Sequence, residues 1–330
     1  MLFNRNVGID LGTANTRIFV EGKGLMVDEP SVLAVDSTTG EIIAIGKSAR
    51  AMQGRVPQNI RLIHPIQGGV IADFDYTQSM LKYYLDKALG GSALLSRTVV
   101  VVGIPSGITD VEERVVREAS LNAGAAVAHL VDEPLAAACG AGIALDRLSA
   151  DVIVNIGAGH TEVAIINMGA MTEVRSVRTA GIAMDRAIIE HVRRTYNTII
   201  GEVTAERVKF ELGNAYLDDE YRFKTIEVRG RDALTGLPRA VVISAREINI
   251  ALSECVTGIM DVIKGCLEKA PANLAADIIE RGIVLTGGGA KLRGLDKLIS
   301  IETGMNCTVI NEPELAVVMG TTYYFRNHNA

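Results

Sequence analysis

The sequence predicts an α/β protein made of two related domains that face each other across a ligand cleft. Three observations carry this. Near the start, Gly8-Ile9-Asp10-Leu11-Gly12-Thr13-Ala14-Asn15-Thr16-Arg17-Ile18-Phe19-Val20 reads as strand, tight turn, strand. β-Branched residues favour extension there, and Gly12 permits backbone shapes that other residues resist. Further on, Asn155-Ile156-Gly157-Ala158-Gly159-His160-Thr161-Glu162-Val163-Ala164-Ile165-Ile166 repeats the unit without a gap, Gly12 falling on Gly157, Thr16 on Thr161 and Ile18 on Val163. The elements that follow the second hairpin repeat the plan of the first, and internal repetition of this kind speaks for the whole fold.

Taken in order, the first hairpin leads to strands at 31–35 and 41–45 joined by a Ser-Thr-Thr-Gly turn. The stretch 57–75 is rich in turn residues and contains Gly68-Gly69. Met80, Leu81, Tyr84, Leu85 and Ala88 give 77–89 a helical face that stops at Gly90-Gly91. Residues 98–104 are a continuous β-branched run, the pattern of a strand covered on both faces. Thr109-Asp110-Val111-Glu112 is a capping box opening a helix expected to present Val111, Val115 and Ala119. A short strand at 128–131 enters Asp132-Glu133-Pro134, and proline at the first helical position sets both acids at the mouth of an Ala-rich helix.

In the second half, 152–156, 162–166 and 171–177 form a meander, and Ala180-Gly181 introduces a helix. A short helix spans 204–213. Ser244-Ala245-Arg246-Glu247 caps a long one with Ile248, Leu252, Cys255, Ile259, Ile263 and Cys266 along one face until Pro271. A buried strand at 282–286 runs into Gly287-Gly288-Gly289, and a helix is expected from about Leu292. No linker interrupts the chain. The expected division is 1–143 with 311–330 as one domain and 144–310 as the other.

Composition narrows the function classes. Hydrophobic residues make up 48% and mean hydropathy is +0.25, high enough to point to buried interfaces or membrane contact. A net charge of −6 without a long single-sign run excludes general nucleic-acid binding through a basic face. The four cysteines lack CxxC spacing and read as reduced core residues of a cytosolic protein. No signal peptide is visible, and the apolar runs at 98–104 and 135–145 fall well short of the roughly 20 residues of a spanning helix. Leu2, Phe3, Leu94 and Leu95 are candidates for touching a membrane surface; packing into the core fits the sequence equally well.

The first turn holds small residues with free N–H groups and hydroxyls, able to wrap an anion, and Asp10 at its lip is placed to hold hydrated Mg²⁺. The two hairpins, Gly103-Ile104-Pro105-Ser106-Gly107-Ile108-Thr109, Asp132-Glu133-Pro134-Leu135-Ala136 and Leu285-Thr286-Gly287-Gly288-Gly289-Ala290 together resemble the actin/Hsp70/sugar-kinase superfamily. Within it the chain is most similar to the MreB family of bacterial actin-like cell-shape proteins, from Val7 to about Thr321. The resemblance implies an actin-like ATPase fold, two RNase-H-like domains with ATP and Mg²⁺ between them. It implies that Gly12, Thr13, Ala14 and Asn15 cradle the outer phosphates and that Gly157, Ala158 and Gly159 form a second phosphate loop. Gly181 approaches from the opposite domain, Glu206 and Lys209 reach the ribose from one helix face, and Gly287, Gly288 and Gly289 let the adenine lie on bare backbone. Asp10 would hold Mg²⁺ through water, with Asn155 a weak second ligand. Asp132, Glu133, His160 and Thr161 would surround the attacking water.

Several positions depart from the family pattern. Asn155 stands where an aspartate is usual, Ala158 for a glycine, His160 for a threonine, and Asp132 shortens a paired glutamate by one methylene. A displacement near 1 Å in a positioning group can cost on the order of 10²-fold in rate, so hydrolysis is expected to weaken more than binding. His160 reads equally as a base or phosphate donor and as a tolerated surface substitution. The implied protein binds ATP, polymerises head-to-tail into protofilaments paired antiparallel, and lies on the cytoplasmic face of the inner membrane with the cell-wall elongation machinery. Two alternatives stay open: a nucleotide-insensitive scaffold copolymerising with a paralogue, and a small-molecule kinase of the same fold.

Overall fold

The computed structural model describes residues 4–90 and 97–328, so Leu2, Phe3, Leu94 and Leu95 lie outside the described residues. The chain opens with an antiparallel meander of β1 (Asn4–Leu11), β2 (Asn15–Val20) and β3 (Gly24–Pro30). β4 (Leu33–Asp36), β5 (Ile42–Ile45), the single turn α1 (Lys47–Arg50) and β6 (Ile60–Ile63) make a small outlying sheet with its helical turn. β7 (Ile66–Gln67) and β8 (Val70–Ile71) form a two-stranded clip whose turn is Gly68-Gly69. Helix α2 (Phe74–Leu89) starts earlier than its apolar spacing indicates because the Asp73 carboxylate accepts the Tyr76 N–H and caps it. Then come β9 (Arg97–Ile104), α3 (Asp110–Asn122), β10 (Val127–Asp132) and α4 (Glu133–Gly140).

The second half runs β11 (Ala150–Ile156), β12 (Thr161–Asn167), β13 (Ala170–Val177), α5 (Gly181–Tyr196), β14 (Thr198–Ile199) and α6 (Glu202–Leu212). It continues with β15 (Thr225–Asp232), β16 (Pro238–Ser244), α7 (Ala245–Leu267), α8 (Ala275–Arg281) and β17 (Ile283–Thr286). It closes with α9 (Leu295–Thr303), β18 (Cys307–Val309) and α10 (Ala316–His328).

The duplication read from the sequence is a duplication of topology. The first large sheet has order β10-β9-β1-β2-β3 and the second β18-β17-β11-β12-β13: two parallel strands beside an antiparallel meander in each. The register repeats too, with Asp10 opposite Arg17 in one hairpin and Asn155 opposite Glu162 in the other. Each sheet has its own apolar core, the first gathered around Val7, Ile9, Tyr84 and Val102, the second around Val154, Ile188, Leu252 and Leu285. α7 supplies the face the sequence predicts, with Ile248, Leu252, Ile259, Ile263 and Cys266 wholly buried.

Three local expectations shift. α3 turns Val116, Ala119 and Ser120 inward and leaves Val111 68% exposed, because the Thr109–Glu112 capping box puts Val111 in the solvated first turn. The strand after β3 starts at Leu33, not at 31, since Ser31 is spent holding the first turn. α9 starts at Leu295 because Gly288–Lys291 form a 3₁₀ turn first and Leu292 is extended. All four cysteines are free thiols, three of them buried. The C-terminal α10 returns to pack on α4, β1 and β9. Its crossing with α4 is a backbone contact: a Cβ on Gly140 would fall 1.9 Å from the Ala316 carbonyl oxygen, and one on Gly320 1.6 Å from that of Ala136.

Candidate functional site

Both hairpin turns open into one cleft of about 620 Å³ between the two sheets. The first turn is pinned from behind: the Ser31 hydroxyl donates to the Gly12 carbonyl at 2.6 Å and contacts the Thr16 hydroxyl at 2.9 Å, and the Ser31 N–H donates to Ala14 at 2.9 Å. The second turn closes on itself through the Gly157 N–H to the His160 carbonyl at 3.0 Å. Its carbonyls at Gly157 and Ala158 accept the first N–H groups of α5, from Gly181 at 3.3 Å and Ile182 at 2.9 Å, so the loop caps a helix that has no capping side chain. The N–H groups of Thr13, Ala14, Ala158 and Gly159 have no protein acceptor among the described residues. Unpaired backbone donors at a concave turn are rare away from water, and here they make an anion cradle.

The turns approach closely. A Cβ on Gly159 would stand 2.5 Å from the Thr13 hydroxyl and 2.9 Å from the Cα of Gly68. Thr13 in turn accepts the Gly69 N–H at 2.9 Å, so the β7–β8 clip locks over both loops.

Beneath the loops lies a group of buried ionisable side chains. Asp10 pairs with Arg17 at 3.3 Å, and Arg17 also reaches Asp28 at 3.1 Å. Burial lifts the Asp10 carboxyl from an ordinary 3.8 to about 6, the Arg17 cation only partly opposing it and Glu133 pushing further. An acid held where its anion is costly gains from a cation, so the position fits a hydrated divalent metal. Glu133, the first residue of α4, accepts the Asn155 amide at 3.0 Å, and its same oxygen stands 3.3 Å from His160 Nε2. His160 Nε2 also lies 3.6 Å from the wholly buried Glu162, whose other oxygen accepts the Ser106 N–H at 2.7 Å. Burial alone would strip the charge from this imidazole, but the Glu133 and Glu162 carboxylates outweigh it and push its pKa up to about 10. At neutral pH His160 is an imidazolium between two carboxylates. Glu162 itself is raised by burial, against the pull of His160.

Comparison with known proteins gives the frame for this cleft. The family described as MreB/Mbl protein matches residues 4–330. The chain belongs to the MreB/Mbl family. Its curated relatives include the cell shape-determining protein MreB of Escherichia coli strain K12, 44% identical over 323 residues, 97% of this chain and 92% of that one. They also include the cell shape-determining protein Mbl of Bacillus cereus, 41% identical over 326 residues, 99% of this chain and 97% of that one. Among solved structures, MreB5 of Spiroplasma citri bound to AMPPNP superposes with a TM-score of 0.94 at 32% identity, covering 99% and 97% of the two chains. The MamK double helical filament superposes at 0.83 with 18% identity over 98% and 99%, a likeness of fold alone. The fold is actin-like.

In this MreB/Mbl-family chain the cleft is lined by Asp10, Gly12, Thr13, Ala14 and Asn15 from the first hairpin, and by Asn155, Gly157, Ala158, Gly159 and His160 from the second. Glu133, Gly181, Glu206, Lys209, Gly287, Gly288 and Gly289 complete the set of sequence-predicted residues that it gathers. Asp132 and Thr161 are not among the lining residues. Asp132 is half-buried, with its carboxyl raised by burial and by Glu113. Thr161 is wholly buried and donates its hydroxyl to the Thr179 carbonyl at 2.8 Å. The reading of His160 as a surface substitution is corrected: only 8% of it is exposed. Lys209 is committed to Asp185 at 2.8 Å and to the Gly181 carbonyl at 3.0 Å. Sequence reasoning passed over Arg17, Ser31, Arg50 and Glu162. Glu162 carried a signal, a charge two residues after His160 at the start of an otherwise apolar strand, hence on the same side of it.

Proposed function

We propose that this chain binds ATP with Mg²⁺ in the cleft and polymerises head-to-tail into membrane-associated filaments that organise cell shape and cell-wall synthesis. One observation carries the nucleotide reading: two backbone cradles with unpaired N–H groups face each other above a buried acid, Asp10. The family membership and the AMPPNP-bound MreB5 neighbour support it, and the filament form of the MamK neighbour supports assembly. In this reading residues 1–143 with 311–330 form one domain and 144–310 the other.

Asp10, with Asn155 as the weaker partner, would hold Mg²⁺ through water, and the ion would neutralise charge on the outer phosphates. The N–H groups of Thr13, Ala14, Ala158 and Gly159 bind and orient those phosphates. His160 presents a fixed positive charge beside them, worth most in a site shielded from water. Glu133 is the candidate general base, but Asn155 and His160 already occupy one of its oxygens, which restrains its reach for a water. Binding is thus well provided for and hydrolysis is weak.

No helix among the described residues is long and apolar enough to cross a membrane; Leu2, Phe3, Leu94 and Leu95 are the proposed membrane contacts. The test is polymer sedimentation with electron microscopy, with ATP, a non-hydrolysable analogue or no nucleotide, while phosphate release is recorded. Nucleotide-dependent paired filaments with slow release are expected. Filaments indifferent to nucleotide would make the chain a scaffold, and phosphate release stimulated by a sugar would make it a kinase. Liposome co-sedimentation unchanged by Leu94→Ser with Leu95→Ser would remove the membrane assignment.

A further inference from the structure

The cleft is bridged above the nucleoside end by contacts that the phosphate chemistry does not use. The turn α1 and the residues just after it, on the side of the first sheet, reach across to the start of α6. Arg50 makes a hydrogen-bonded ion pair through Nη2 with Oε2 of Glu206, and Gln53 Nε2 donates to Glu202 Oε2 at 2.7 Å. Glu206 lines the cleft, and its Oε1 has no hydrogen-bond partner among the described residues. Its helix neighbour Lys209 is held by Asp185 and Gly181. Of the two bridging glutamates only Glu206 lines the cleft, so its Oε1 is the one placed to accept a hydrogen bond from a ligand there.

We propose that Arg50 is a specificity-determining positioning residue: by fixing one oxygen of Glu206 it presents the other to the vicinal hydroxyls of a ribose, so that ribonucleotides are preferred over 2′-deoxyribonucleotides. The inference rests on the reading of Glu206 as the ribose residue. Both halves of the molecule then contribute to one recognition event, Glu206 by contact and Arg50 by orientation. A free glutamate in a partly solvated cleft samples many rotamers and loses that entropy on binding. The contact of Arg50 with Oε2 restricts the rotamers of Glu206 in advance, and the hydrogen bond from ribose to a pre-set anion is of the stronger, charge-assisted kind. A donor hydroxyl missing from the ligand leaves that oxygen unpaired, and such a loss to a charged acceptor is read as a factor of roughly ten or more in affinity.

The experiment is calorimetric titration of the full chain, below its assembly concentration and with Mg²⁺, using ATP and 2′-deoxy-ATP as probes. The wild type is expected to prefer ATP by roughly tenfold or more. Arg50→Ala should bring the two affinities to within about threefold, with Arg50→Lys restoring part of the preference, because lysine keeps the charge without the planar fork. Gln53→Ala breaks the neighbouring cross-cleft contact but leaves Glu206 held, so it should lower both affinities in parallel and keep the ratio. If Arg50→Ala behaves like Gln53→Ala, Arg50 only ties the halves together and the proposal fails. Glu206→Gln separates the two levels. A ratio unmoved by Glu206→Gln removes the ribose reading itself, whereas a ratio that collapses in Glu206→Gln but survives Arg50→Ala removes the role of Arg50 alone.

Discussion

Replacing His160 with glutamine would take the positive charge from between Glu133 and Glu162 while keeping a side chain of similar length. The three side chains are nearly inaccessible, at 10%, 9% and 0% exposure, so solvent does little to screen them. Raising an imidazole from an ordinary 6.5 to about 10 corresponds to about 5 kcal/mol of preferential interaction with the charged form. Removing one partner of a buried ion pair costs about 3–5 kcal/mol by itself. The two magnitudes agree, so His160→Gln should lower the unfolding free energy of the nucleotide-free chain by about 3–5 kcal/mol at pH 6.5. The folded pKa lies above the unfolded one, so this contribution is complete below about 6.5 and fades as pH rises through about 10. Urea unfolding at pH 6.5 and again at pH 10.5 tests this by linear extrapolation, the gap between wild type and variant closing at the higher pH. Adding Glu162→Gln should recover part of the loss at pH 6.5 by removing a stranded carboxylate. A gap of equal size at both pH values would refute the charge argument and leave only a packing defect.

Asp10 shares the pH direction of His160 but differs in which form the fold disfavours, here the charged one. Its folded carboxyl is raised to about 6, so in the absence of metal the fold loses stability as pH climbs from about 3.8 through 6, on the order of 3 kcal/mol in all. Asp10→Asn should therefore raise the melting temperature of the nucleotide-free chain at pH 8. The same variant should abolish the further rise that Mg²⁺ and ATP give the wild type, both read by thermal melting with and without ligand. Gly159→Ala places a methyl group 2.9 Å from the Cα of Gly68, and overpacking of this kind costs about 1–3 kcal/mol. Borne by the closed cleft, that is roughly ten- to a hundredfold in ATP affinity, measured by calorimetry; unchanged affinity would show that the loops do not close on the ligand.

Much of the frame was legible because local chemistry and tertiary need agreed. The β1–β2 hairpin and its repeat were visible as a pattern of glycines, small polar residues and β-branched runs. The caps at Thr109 and Ser244 could be placed because both motifs act within four residues. Pro134 marked the start of α4 for the same reason. The elements that escaped depend on distant partners. β3 leaves Leu25 and Met26 over a third exposed and exists because β2 offers it an edge; nothing in Gly24–Pro30 demands a strand by itself. Val111 has the spacing of a core residue but falls in a first turn that faces water. The cleft residues were legible as loops, whereas the roles of Arg17, Arg50 and Ser31 come from the three-dimensional meeting of segments far apart in sequence. His160 shows the limit most clearly, since its charge state is set by Glu133 on α4 and Glu162 on β12 together.

The return of α10 to the first sheet has a consequence for synthesis. β1 and β9 are translated early, yet one face of them is covered by a helix made only after the whole of the second sheet, and the fit is tight: a Cβ on Gly8 would fall 1.9 Å from the Thr321 hydroxyl. At roughly 5–20 residues per second, the stretch between the end of α4 and the start of α10 takes about 10–35 s to produce. Throughout that interval the half begun first stands unfinished, while the half begun second has all its strands in hand by β18. The nascent chain therefore completes its later half before its earlier one, and the face of the first sheet that carries Gly8 and Gly103, which α10 covers, stays open in the meantime. A chaperone that shelters an exposed β-sheet, or slow codons placed to let the second half settle, would find its use in that window.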